Sequence, residues 1–142
     1  MKNRKLTVAT FCLVIGLATA SAPAQVSGGV EAKVPFKFVV SGKTFAAGEY
    51  TMIPSSHQVR IEDARGRLVA IVLANDVSGR SAGENGQIIF HCYRERCFLS
   101  EVWSPSLENG RQLSTPHIEA ELSREEPATY FALVGEKPQK RQ

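Results

Sequence analysis

The hydrophobic and polar positions alternate with period two along most of the chain. In residues 34–40 the side chains of Val34, Phe36, Phe38 and Val40 fall on one side, with Pro35, Lys37 and Val39 on the other. That period, with β-branched and aromatic residues, predicts a strand with one buried face. Pro35 cannot donate to a ladder, so it belongs at a strand start or on an edge. Ser41-Gly42-Lys43 forms the first turn. Gly48, two residues before Tyr50, is expected to make a tight turn at positive φ that feeds a strand over residues 50–53. After the break at Pro54-Ser55-Ser56, alternation resumes over residues 58–62 with Val59 and Ile61 inward, and Asp63-Ala64-Arg65-Gly66-Arg67 reads as a hairpin loop. Leu68-Val69-Ala70-Ile71-Val72-Leu73 is apolar throughout, which predicts a central strand buried on both faces. Residues 75–86, with Gly79, Gly83 and Gly86, read as a long surface loop.

Residues 87–103 hold two apolar runs around a charged tip, the pattern of a β-hairpin. A loop of Arg94-Glu95, or of the four residues 93–96, sets Cys92 opposite Cys97, Phe90 opposite Leu99 and His91 opposite Phe98. Continued without interruption, that register puts Glu101 opposite Ile88, on the same face as Leu99 and Trp103. Thr115-Pro116 then offers an N-cap with proline at the first helical position. A short helix follows over residues 117–126, with Ile118 and Leu122 four apart on one face, and Pro127 ends it. Residues 129–134 are the last strand. About seven short strands and one late helix predict an all-β antiparallel meander, closed into a small barrel or folded into a sandwich.

The two ends change the picture of the compartment. Lys2, Arg4 and Lys5 precede an uncharged apolar run of about 15 residues and then Ala22-Pro23-Ala24, the layout of a secretory signal cleaved before Gln25. The run is shorter than the roughly 20 residues that a membrane-spanning helix needs. The expected organisation is a cleavable signal over residues 1–24, one β domain over residues 25–136, and a disordered basic tail over residues 137–142. Cleavage removes three of the 17 basic residues and none of the 14 acidic ones, so the mature chain is charge-balanced. Such a chain lacks the field that attracts nucleic acid, and no membrane span remains after cleavage. The product is expected in the periplasm or outside the cell.

Export permits oxidation, and opposed strand positions hold Cβ atoms near bridging distance, so Cys92 and Cys97 are expected to form a disulfide. Their spacing and strand context differ from the two-residue spacing of redox-active pairs at helix N-termini. His57, His91 and His117 show no metal-ligand spacing. No Gly-x-Ser-x-Gly, Ser-x-x-Lys or phosphate-cradling glycine loop is present. The reading therefore includes no catalytic residue, metal or cofactor. His91, Tyr93, Glu101 and Trp103 are the candidate ligand-binding residues, with Glu101 also expected to pair with an arginine within the fold.

Val34-Pro35-Phe36-Lys37-Phe38-Val39-Val40, Ala47-Gly48-Glu49-Tyr50-Thr51 and Phe98-Leu99-Ser100-Glu101-Val102-Trp103 together resemble a family of short bacterial exported proteins without assigned function. The resemblance implies export and a β domain and brings no catalytic residues. Similar proteins tend to carry proline where Ala46 stands, and often lack the hairpin cysteines. The functional expectation is an exported non-catalytic binding module. Its partner would be an envelope component, a polysaccharide or a small apolar ligand, met through the loop of residues 75–86 or the sheet's open end. A small exported enzyme with an unrecognised site, built on Glu101, His91 and Tyr93, is the alternative.

Overall fold

The computed structural model describes residues 28–137, so the expected signal over residues 1–24 and nearly all of the basic tail lie outside the described residues. Among the described residues ten strands and one helix are formed: β1 Val30–Val34, β2 Phe38–Val40, β3 Lys43–Phe45, β4 Gly48–Pro54, β5 Gln58–Asp63, β6 Leu68–Val77, β7 Gln87–Tyr93, β8 Arg96–Trp103, β9 Gly110–Leu113, α1 His117–Glu125 and β10 Thr129–Val134. The architecture is all-β, with more strands than the alternation pattern predicts.

The pairing is mostly antiparallel, in the order β1-β4-β5-β6-β9-β8, and β7 and then β10 continue from the other edge of β8. β6 pairs with β5 along residues 68–73 and with β9 along residues 74–77, so one strand links the two halves of the sheet. β2 is the exception, running parallel to the start of β8 and forming a hairpin with β3. The sheet curls until a single bridge, Glu31 to Glu136, joins its ends, short of a closed barrel.

The expected continuous strand over residues 34–40 is divided at Pro35, where the chain leaves β4 for β8. Proline supplies no ladder donor, and the break lets Val34 and Phe38 serve different parts of the same core. Gly48 is an ordinary strand residue opposite Val34 and is not among the glycines with positive φ. The aromatic that follows it explains the turn instead, because the Tyr50 hydroxyl donates to the Ala46 carbonyl at 2.7 Å.

The concave face encloses Val30, Val34, Phe38, Met52, Val59, Ile61, Ile88, Phe90, Leu99 and Val102. Phe38 organises its aromatic part, stacking on Phe45 with centroids 5.5 Å apart and meeting Tyr50 and Phe90 edge-on at 5.1 and 5.5 Å. Such geometries add about 0.5–1.5 kcal/mol each beyond area burial.

Candidate functional site

The β7–β8 hairpin is the region where the candidate residues gather. Its loop is Arg94-Glu95, with Arg94 at φ 52°, and Cys92 and Cys97 face each other and are disulfide-bonded. Near the tip the register agrees with the sequence pattern: Phe90 opposes Leu99 and His91 opposes Phe98. Further from the tip, a register shift between Ile89 and Phe90 sets Glu101 opposite Ile89 and Val102 opposite Ile88. One extra residue on β8 reverses the facing of everything beyond it. Val102 therefore joins Leu99 in the core, while Glu101 and Trp103 turn to the other face, correcting the expectation that both share the face of Leu99.

On that outer face the Trp103 indole donates to Glu101 Oε2 at 2.7 Å, and Arg80 Nε lies 3.7 Å from the same oxygen. The indole also lies over Gly110, where any side chain would strike its ring. β6 extends to Val77, so the connecting loop is shorter than expected, and Arg80 within it folds back onto Glu101. Trp103 is 2 % exposed, which removes it from an open binding surface.

Closer to the tip, α1 covers the same outer face. Of the apolar pair four apart on one face, Ile118 is exposed and Leu122 is half-buried, while the most buried helix residue is Glu119, 3 % exposed. Glu119 Oε1 lies 3.2 Å from His91 Nδ1 and accepts from the Tyr93 hydroxyl at 3.4 Å. Tyr130 of β10 meets the His91 ring edge-on at 4.7 Å. Burial pushes the Tyr93 phenol above its ordinary value, and the nearby Glu119 charge adds to the rise. His91 Nε2 is buried without a hydrogen-bond partner among the described residues. The helix begins without a side-chain cap; Pro116 occupies the N-cap itself, one position earlier than expected.

Sequence reasoning missed Glu119 because a carboxylate between two apolar residues reads as solvent-facing; its partners lie 26 and 28 residues away. Arg111 was missed because Ser55 and Asp76, which it meets, lie on distant segments of the chain. It is 7 % exposed and donates to the carbonyls of Ser55, Asn109 and Gly110, with Asp76 Oδ1 2.9 Å away. These bonds fasten β9 to the β4–β5 turn and compensate the buried charge.

Between the hairpin tip and the helix lies an open cleft of about 430 Å³, lined by Tyr93, Arg94, Arg96, Leu122, Glu125 and Glu126 among others. Arg94 Nε meets Glu126 Oε2 at 3.1 Å across it. A smaller hollow of about 230 Å³ lies on the other side of the tip, beside Lys37, Thr44 and Arg96. The candidate residues thus divide: His91 and Tyr93 meet through Glu119, and Glu101 and Trp103 form a separate pair. Among the described residues no three His, Cys, Asp or Glu side chains converge as a metal site, and no helix is long and apolar enough to cross a membrane. No family model, curated protein or solved structure matches the chain.

Proposed function

We propose that this chain is an exported, non-catalytic binding module whose ligand sits in the cleft beside the β7–β8 tip. The observation that carries this reading is how the polar groups are divided. The groups an enzyme would use, His91, Tyr93 and Glu101, are tied to Glu119 and Trp103, and of the three only Tyr93 reaches the open cleft, whose other polar lining is guanidinium and carboxyl groups. The cleft volume lies within the usual range for small-ligand sites, about 300–1,000 Å³. Its mixture of Arg94, Arg96 and Glu125 over Leu122 suits a hydroxyl-rich ligand such as an envelope glycan better than an apolar one. The disulfide holds the tip beneath it and is compatible with an oxidising compartment, which supports export to the periplasm or beyond.

The test is an NMR titration of the oxidised protein with oligosaccharides of N-acetylglucosamine. The expected result is saturable shifts confined to residues 93–96 and 122–126, lost in Arg96→Ala and Glu125→Ala variants of unchanged fold. Saturable shifts elsewhere, no binding to any envelope glycan, or hydrolysis abolished by Glu101→Gln would each overturn the proposal.

A further inference from the structure

Neighbouring strands favour unlike charges across from one another, because like charges so placed repel. Lys33 follows that rule, standing opposite Glu49 across β1 and β4. Lys43 has a different partner, lying over the Phe45 ring at 5.3 Å from its centroid. Lys37 has neither. β2 runs parallel to β8 with Phe38 level with Cys97 and Val39 level with Phe98, so the residues one step earlier, Lys37 and Arg96, stand side by side. Both are exposed, and both line the hollow of about 230 Å³ beside the hairpin tip. Neither forms an ion pair among the described residues, whereas the other strand arginines do, Arg60 with Glu62 and Arg111 with Asp76. Val39 and, opposite it across the β2–β3 hairpin, Thr44 line the same hollow. Glu95 lines it too, without bonding to either cation among the described residues.

We propose that this hollow is an anion site, in which Lys37 and Arg96, with the Thr44 hydroxyl, hold one carboxylate or phosphate group. Two cations set side by side by backbone pairing repel until an anion sits between them, and a guanidinium fork beside a compact ammonium charge suits an oxyanion. The hollow falls short of the roughly 300 Å³ at which small-molecule sites begin, so it fits a single charged group and not a whole ligand. Glu95 is the competitor built into the site, since its carboxylate repels an incoming anion. The site is separate from the cleft on the other side of the tip: Arg96 and Glu95 line both, but Lys37 and Thr44 line only the hollow. Anion binding there therefore does not depend on what the cleft holds.

The experiment is an NMR titration of the oxidised protein with inorganic phosphate, and separately with an oligogalacturonate, at neutral pH and an ionic strength held constant with sodium chloride. Saturable shifts should centre on residues 37–39, 44 and 95–97. Lys37→Gln should weaken binding at least about fivefold, on the scale of one lost charge-assisted hydrogen bond. Glu95→Gln should tighten it, and Lys43→Gln, which alters a cation outside the hollow, should leave it unchanged. Thermal unfolding gives a second readout. In low salt without phosphate, Lys37→Gln should melt above the wild type because it removes the repulsion, and phosphate should raise the wild-type melting temperature more than that of the variant. Tighter binding of the oligogalacturonate would assign the site to an acidic substituent of a glycan, and tighter binding of phosphate to a free anion. Binding of neither, shifts that grow without saturating or that spread equally to Lys33 and Lys43, or a Lys37→Gln variant unchanged in both affinity and melting would overturn the proposal.

Discussion

The outer surface of the sheet is treated in two opposite ways. Over β7 and β8 it is covered by α1, and the covered side chains include a carboxyl, an imidazole and a phenol joined around Glu119 Oε1. Over β6 it is bare, and the side chains in water include Leu68, Ile71 and Leu73, the last 75 % exposed. Polar groups are thus enclosed where apolar ones would pack more simply, and apolar groups are exposed where polar ones would dissolve better. Burial follows what the neighbouring element covers, and residue type decides only the cost. At the helix the cost is offset by mutual hydrogen bonding. On β6 it is small, since isolated exposed apolar side chains are ordinary on protein surfaces.

The largest expected effect comes from deleting a large apolar side chain on the covered face. Phe98 is 1 % exposed, so Phe98→Ala should cost about 3–5 kcal/mol in urea unfolding. A cost near zero would mean that the helix does not seal this face. Replacing both Cys92 and Cys97 with serine should cost about 2 kcal/mol, the entropic scale for so short a closed loop. Glu119→Ala should cost about 1–3 kcal/mol by leaving His91 and Tyr93 facing one another without an acceptor. Glu119→Gln should recover part of that loss if hydrogen bonding to Tyr93 is what matters. Ile71→Ala on the bare face should change stability by no more than about 0.5 kcal/mol, the contrast with Phe98 on which the comparison rests.

The smallest effects separate the two regions by pH. Asp63 closes the β5–β6 hairpin: its Oδ1 accepts from the N–H groups of Arg65 and Arg67 at 2.9 and 3.0 Å, and Oδ2 meets the Arg67 guanidinium. The Arg67 backbone bond, with the side-chain bond and the Arg65 bond behind it, holds this carboxyl below its ordinary value against a weaker opposing effect of desolvation. Its contribution is therefore complete above the unfolded value of about 3.9 and is lost as pH falls from there through the folded value. Tyr93 has the opposite sense. Its raised value means that its contribution is complete below about 10 and is lost as pH rises through the folded value. Asp63→Asn should flatten the acid limb of the stability profile and Tyr93→Phe the alkaline limb. A profile in which either substitution moves the other limb would break the assignment.

The β7–β8 tip, the disulfide, the inward Val59 and Ile61, and the final strand were all legible in the sequence. Each depends on alternation and turn chemistry among residues a few positions apart. That locality ends at the bulge in β8. Whether Ser100 adds a residue to the ladder depends on β7 and β9 together, and the answer reversed the facing of Glu101 and Trp103. The apolar run of β6 predicts burial on both faces, yet only its inner face found a covering layer, because the helix lies over a different part of the sheet. Glu119 shows the same division. Local spacing makes residues 117–125 a helix, but which of its faces is buried is set by where β7 places His91 and Tyr93, more than two dozen residues earlier. Period and turn chemistry are short-range and are written along the chain, whereas coverage and long-range polar pairing exist only once distant segments have been brought together.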